Sequence, residues 1–264
     1  LSPGLDFESR LFAKPDAPAL LEKELAAPGY EPRMIAIGTN TDPYQPIERE
    51  HKIMRGILEV LERTGHPVGI VTKSALVTRD IDILARMAKR NLAKVAISVT
   101  SLDPKLARTM EPRASTPPKR LEALRQLSEA GIPTTVMVAP VIPALNDSEI
   151  ERILDAAAHA GVKEASYVLL RLPLEVRDLF REWLLANYPD RYRHVFTLIR
   201  DMRDGRDYDS QWGTRMKGTG PMAWMIGRRF EIACEKLGLN KRRSKLTTAH
   251  FARPKAANEQ LDLF

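Results

Sequence analysis

The 264-residue sequence contains a single cysteine, Cys234, close to its C-terminal end. One thiol excludes an internal disulfide framework and any structural zinc site built on several cysteines. No apolar run approaches the length that spans a bilayer, so membrane insertion is not expected. The opening LSPGLDFESRLFAKPDAP lacks the basic start and apolar stretch of a secretory signal, which points to the cytoplasm. No GxGxxG follows an expected strand, no GxxxxGK[ST] occurs, and no GxSxG elbow is present, so dinucleotide, P-loop and serine-hydrolase readings are weak. The histidines His51, His66, His159, His194 and His250 are scattered without HxH or HExxH spacing and are expected at the surface.

What the sequence does have is an ordinary globular composition, 44% hydrophobic and 28% charged, with a formal charge of +7. The charge favours contact with nucleic acid or another polyanion, although many metabolic enzymes carry a similar excess. Short apolar runs alternate with amphipathic stretches. Strands are expected over 34–39, 68–72, 95–99, 134–139 and 165–170, because these runs are short, apolar and bounded by turn residues. Helices are expected over 18–26, 46–63, 78–90 with Thr78 as cap, 117–130 with Thr116 as cap, and a segment opened by an Asn146/Glu149 capping box and ended by Gly161.

This βαβα rhythm predicts a parallel sheet buried on both faces, either a partial barrel or an open doubly wound sheet. After Arg171 the rhythm breaks, and helical pieces over 176–187, 192–202 and 222–237 form a C-terminal extension. The basic tail from Lys241 is expected to be loosely ordered. The division is therefore 1–172 for the (β/α) unit and 173–264 for the extension.

In either geometry function gathers at the carboxyl ends of the strands. There lie Thr39 to Asp42 after the first strand, Lys73 and Ser74 after the second, and Ser98, Thr100, Ser101 and Asp103 at the third. Lys73 could neutralise a carboxylate or phosphate, or form a Schiff base with a carbonyl substrate. It could equally be a solvated lysine, as the hydroxyl and Asx residues could simply satisfy turns. The stretch from 101 to 116 reads as the longest loop and carries Glu111 and Arg113, suited to a ribose diol and an anion respectively, or to a surface ion pair. The segment SQWGTRMKGTGP (210–221) is basic and hydroxyl-rich. It reads as an anion-approaching loop or as a connector packed down by Trp212 and Trp224, with Arg228, Arg229, Lys241, Arg242, Arg243 and Lys245 able to extend a phosphate site.

The ordered set GTNTDPYQPIE, VTKSALVTRDIDIL, AISVTSLD, MEPRASTPPKRLEALRQLSEAGIP and VMVAPVIPALND resembles radical S-adenosylmethionine proteins related to spore photoproduct lyase. The nearer resemblance is to an uncharacterised bacterial branch that shares a GTRMKGTGP-like segment, and it covers almost the whole chain. It implies a partial TIM-type barrel of six (β/α) units with a CxxxCxxC loop after the first strand. The first unit would then lie ahead of Leu1, LSPGLDFES would follow the cysteine loop, and the chain by itself would be inactive.

The resemblance further implies a [4Fe-4S] cluster, S-adenosylmethionine, a 5'-deoxyadenosyl radical, and an electron donor such as flavodoxin or ferredoxin. By similarity Lys73 and Ser98 hold the methionine carboxylate, Thr41 supplies a hydroxyl contact, the Ala139 backbone meets adenine, and Glu111 and Arg113 serve the ribose side. Thr39 stands where the lyase carries its hydrogen-donating cysteine. The sequence reading is thus a radical enzyme of unknown substrate, a nucleic acid or other polyanion among the candidates. The alternatives are a Lys73 Schiff-base lyase or aldolase and a non-enzymatic basic nucleic-acid-binding module.

Overall fold

The structure is a computed structural model that describes residues 10–254, so LSPGLDFES and the end of the basic tail lie outside it. Helix α1 (Ala17–Ala26) leads into β1 (Ile35–Ile37). Then come α2 (Glu48–His51), α3 (Ile53–Thr64), β2 (Val68–Thr72), α4 (Ile81–Lys89) and β3 (Ala93–Ser98). The chain continues through α5 (Pro104–Met110), α6 (Pro117–Glu129), β4 (Thr134–Val141), α7 (Ile150–His159) and β5 (Glu164–Leu169). Helices α8 (Val176–Asn187), α9 (Tyr192–Asp201) and α10 (Gly220–Leu237) complete it. The strands form one parallel sheet in the order β1-β2-β3-β4-β5, the arrangement of a partial barrel.

The sheet is not buried on both faces as the apolar runs predict. Burial alternates along β3 and β4, so one face packs on helices while the other, with Val71, Ala96, Met137 and Ser166, stays partly open. On the covered face Ile70, Val95, Ile97, Val136 and Val138 meet Leu58, Leu84, Leu124 and Leu154 from α3, α4, α6 and α7. Each such side chain contributes about 1.5–3 kcal/mol by leaving water. Helix α10 adds Ile226, Phe230 and Cys234 to this same core. A second apolar cluster joins Leu106 of α5 and Ile142 to Phe180, Leu184 and Phe196 of α8 and α9, which seats those helices at the carboxyl ends of the strands.

Local chemistry moved several expected boundaries. The helix expected over 46–63 breaks at Lys52, which is left-handed, because the buried Glu48 carboxylate accepts from the backbone N–H of Ile53 (3.1 Å) and Met54 (2.8 Å) and starts a new helix there. Ser74, not Thr78, caps the next turn by accepting from Leu76 N–H, while Thr78 donates back to the Ala75 carbonyl. Thr116 makes no side-chain cap. Asn146 and Glu149 do not form a capping box. Asn146 donates to the carbonyls of Thr100 and Pro140, and Glu149 accepts from Ser101 Oγ and Leu102 N–H, so both brace the ends of β3 and β4. The stretch read as one long loop holds α5, whose first turn is capped by Asp103.

The described part of the tail is not loose. Ser244 and Ala252 N–H bond to Glu164 and to the Thr64 carbonyl, and Thr247 N–H bonds to the Asn91 carbonyl. Gly65 has φ +63, and a Cβ there would sit 2.0 Å from the His250 carbonyl oxygen, so the tail crosses where only glycine leaves room. His66, expected at the surface, is wholly buried in this contact. Its Nδ1 lies 3.1 Å from the Pro67 carbonyl and its Nε2 2.7 Å from Tyr30 Oη, with the Phe251 ring edge-on at 5.5 Å.

Burial favours the neutral ring, in which the carbonyl beside Nδ1 requires N–H there and Nε2 accepts from the Tyr30 hydroxyl. Burial pushes the imidazole below its ordinary 6.5. The neutral form therefore stabilises the fold above that value, and the contribution is lost as pH falls below it through the depressed folded value. The denaturation midpoint should drop between about pH 7.5 and about pH 5. The drop should be smaller in His66→Gln, and equal drops in the two proteins would clear His66 of the effect.

Candidate functional site

At the end of β1 the chain turns at Gly38, which has φ +94 and approaches β2 so closely that a Cβ would lie 1.9 Å from the Val71 carbonyl oxygen. This brings Asp42 to the end of β2. Its carboxylate accepts from Thr72 Oγ1 (2.7 Å), Lys73 N–H (2.7 Å) and Tyr44 N–H (2.9 Å), so the backbone of Lys73 is fixed from the neighbouring loop. The same loop is pinned from outside, where Tyr44 Oη donates to the fully buried Asp80 (3.0 Å), itself held by Arg79 and Arg55.

The Lys73 ammonium is 37% exposed and lies 2.6 Å from Glu111 Oε1. The other Glu111 oxygen meets Arg120 Nη2, also at 2.6 Å. Arg120 is 2% exposed and spends its remaining donors on the carbonyls of Ser98 (3.0 Å) and Ser115 (2.7 Å). Thr100 Oγ1 stands 2.9 Å from both Glu111 Oε1 and the Ala139 carbonyl, and its single proton serves one of them at a time. Burial acts to raise the Glu111 carboxyl, but Lys73 and Arg120 outweigh it and hold the group below the ordinary carboxylate range. Within this set two cations share one carboxylate, and the Asp42 carboxylate lies beside it, bonded to the Lys73 backbone N–H.

Among the residues singled out from sequence, Lys73, Ser98, Glu111 and Ala139 are thus joined by one hydrogen-bonded set at the ends of β2, β3 and β4. Thr41 is exposed, one residue before Asp42. Arg113 is exposed beyond α5, and the guanidinium that grips Glu111 belongs to Arg120. Sequence reasoning missed Arg120. Its signal was spacing, since it shares the buried face of α6 with Pro117, Ala123, Leu124 and Leu127, where an unpaired arginine is not tolerated.

The basic cluster near the C-terminus is partly internal. Arg229 binds Glu151 (2.7 Å), and Arg228 pairs with Glu231 (3.3 Å). Trp212 and Trp224 do not pack the connector down; they are 86% and 72% exposed.

Among the described residues no group of three or more His, Cys, Asp or Glu side chains could hold a metal ion. Cys234 is buried in α10, and its thiol is pushed up to about 11 by burial and then by Glu231. The residues present therefore do not fit an iron-sulfur cluster, which needs several thiolates. Among them, too, no helix is long and apolar enough to cross a membrane.

Arg120→Met should cost about 3–5 kcal/mol in urea denaturation, because Glu111 stays buried with half its counter-charge removed. Arg125→Ala on the same helix removes a guanidinium that lies at the surface between Glu122 and Glu129, and should barely move the midpoint. Equal effects would show that burial does not set the strength of the Glu111 pair.

Residues 11–157 match the Radical SAM superfamily. An uncharacterised protein of Mycobacterium tuberculosis is 36% identical over 200 residues, covering 74% of this chain and 59% of that protein. An uncharacterised protein of Methanocaldococcus jannaschii is 30% identical over 161 residues, covering 61% of this chain and 59% of its own length. The chain thus spans about three fifths of the curated relatives it matches. Among solved structures, a spore photoproduct lyase mutant aligns with a TM-score of 0.57 at 17% identity, over 85% of this chain and 64% of the lyase. The lyase complexed with dinucleoside spore photoproduct gives a TM-score of 0.55 at 16% identity, with the same coverage. The likeness to the lyase is one of fold, and it agrees with the parallel order of the five strands. With more than half its length matched by the family, the chain belongs to the Radical SAM superfamily.

Proposed function

We propose that this chain is the cosubstrate-binding barrel of a radical enzyme, in which the Lys73–Glu111–Arg120 set receives S-adenosylmethionine. The observation that carries this reading is the ion-paired cluster at the strand ends, in which the partly exposed Lys73 ammonium stands at the edge of the buried Glu111–Arg120 pair. An incoming methionine carboxylate shares the Lys73 ammonium with Glu111, and Ser98 lies at the adjacent strand end. Thr41 offers a hydroxyl from the β1 loop. The Ala139 carbonyl, with a second lone pair beside its Thr100 contact, accepts from the adenine amino group. Glu111 and, further out, Arg113 serve the ribose side.

When bound, the cosubstrate would supply radical chemistry: one electron from the cluster would break its S–C5' bond, releasing methionine and a 5'-deoxyadenosyl radical. The thiolates for a [4Fe-4S] cluster come, in this reading, from outside these 264 residues, and the electron from a flavodoxin or ferredoxin. The half-open face of the sheet takes the substrate. Because an alcohol O–H is a poor hydrogen-atom donor, Thr39 does not repeat the thiol step of the lyase.

The ion pair also bears on the aldolase alternative. An ammonium 2.6 Å from a carboxylate is not the free amine that a Schiff base needs, so borohydride should trap no carbonyl adduct at Lys73.

The test is the complete gene product, reconstituted with iron and sulfide under anaerobic conditions. It should absorb as a reducible cluster and release 5'-deoxyadenosine with dithionite. In that protein Lys73→Met should raise the KM for S-adenosylmethionine about tenfold or more, equivalent to about 1.4 kcal/mol. A complete product with neither cluster nor 5'-deoxyadenosine would end the proposal.

A further inference from the structure

Beside β5 lies a group of cations centred on Arg171. Arg171 follows β5, and its guanidinium meets only the Tyr208 hydroxyl (3.1 Å) and the Met216 sulfur (4.0 Å). Its Nε is buried with no hydrogen-bond acceptor, the only such side-chain atom among the described residues. A shielded guanidinium N–H without an acceptor costs free energy unless an anion arrives from outside. Arg203 lies next to it and donates to the carbonyls of Thr214 and Leu170. Of the nearby acids, Asp207 holds Arg200, Asp209 accepts from Thr214 Oγ1 and Gln211 N–H and acts electrostatically on Arg203 and Arg206, and Glu231 pairs with Arg228.

Those two Asp209 bonds tie the base of a turn whose tip is Trp212. The indole is 86% exposed, and the Arg215 guanidinium stacks 4.0 Å from its centroid. A Met216 carbonyl bond to Leu169 N–H (2.9 Å) fixes the turn to the end of β5, next to Arg171. One residue further, exposed Lys217 lines a hollow of about 310 Å³ together with Trp224, the second exposed indole, and with Arg228 and Glu231, which pair with each other. Flat apolar faces thus alternate with cations.

We propose that Arg171, Trp212, Arg215, Lys217 and Trp224 form a binding surface for single-stranded nucleic acid. The cations take the phosphates and the indoles stack on bases. Charge complementarity selects a polyanion, and two exposed π-faces select unpaired bases over a duplex, whose bases are already stacked. Arg171 supplies positive charge from beneath the surface, and Tyr208, whose oxygen accepts from Arg171, keeps its own proton to donate. The surface involves none of Lys73, Glu111 or Arg120, and binding there needs neither cosubstrate nor electrons.

Anisotropy of a fluorescein-labelled oligothymidylate of about 12 nucleotides, measured with the full chain in the absence of S-adenosylmethionine, tests the proposal. Affinity should fall steeply between about 50 mM and about 200 mM salt. Trp212→Ala and Trp224→Ala should each weaken binding about fivefold to a hundredfold. Arg171→Gln should weaken it about tenfold and lower the salt slope by about one, and Arg171→Lys should restore the slope. Arg125→Ala should bind as the parent does. Both indoles lie at the surface, so their variants test the proposal even if Arg171→Gln fails to fold. Parental affinity in both tryptophan variants would overturn it, as would a duplex of the same length binding more tightly than the single strand. Thymidine monophosphate binding as tightly as the oligonucleotide would overturn the strand as ligand. Failure here leaves the radical reading untouched, because that reading is measured by 5'-deoxyadenosine release.

Discussion

The mouth of the sheet depends on one carboxylate. Glu111 sits between Lys73 and Arg120 at 2.6 Å from each, and the three side chains link the ends of β2 and β3 to α6. Arg120 reaches back to the Ser98 carbonyl, so its charge also ties α6 to the end of β3. Without Glu111 the guanidinium would be a buried cation facing only carbonyl dipoles, a costly arrangement. Without Arg120 the carboxylate would depend on a lysine that is partly in water. The triad is thus internally obligatory, and Lys73 is the member of it that reaches solvent.

Rigidity around that charge comes from the two neighbouring loops. Asp42 takes three donors at the end of β2, and Glu48 caps α3 while accepting from Arg79, so the β1 loop and the turn after Lys73 move as one body. On the other side Trp183 of α8 donates to the Thr109 carbonyl (2.9 Å) and supports α5, at whose C-terminal end Glu111 lies. The C-terminal helices therefore do more than cover apolar surface: they hold the helix that positions the carboxylate. Such preorganisation lowers the reorganisation needed when a charged ligand binds.

Much of this was legible in the sequence, and the failures share a cause. Strands β2 and β5 and helices α8 and α9 announce themselves by period and by proline or glycine punctuation, which are local signals. The parallel order follows from the alternation of strands with helices. Lys73, Ser98 and Ala139 are legible because a strand end is a local feature too. The errors arise where a side chain serves a partner distant in sequence. Glu48 breaks a helix to cap its own continuation and to bind Arg79. Asn146 and Glu149 abandon a local box for the ends of β3 and β4, and His66 is buried by a tail nearly two hundred residues away. Arg120 is the most instructive case: a charge on an apolar helix face carries no local explanation and demands a distant counter-ion. The open sheet face escaped because an alanine or valine facing a cleft is indistinguishable in sequence from one facing a core.

The net charge of the chain becomes informative only after its internal pairs are removed. Arg55, Arg79, Arg86, Arg120, Arg125 and Arg229 each grip carboxylates of this same chain and project little field outward. Other lysines and arginines lie at the surface along the whole chain, and Arg171, Arg215 and Lys217 among them stand near two exposed indoles. A surplus kept for solubility alone has no reason to bury a guanidinium N–H without an acceptor or to set tryptophans in water, because each lowers the stability of the free protein. Both features become favourable once an anion with flat faces occupies the surface. The cations beside the indoles are therefore better understood as one half of a contact than as a general property of the surface.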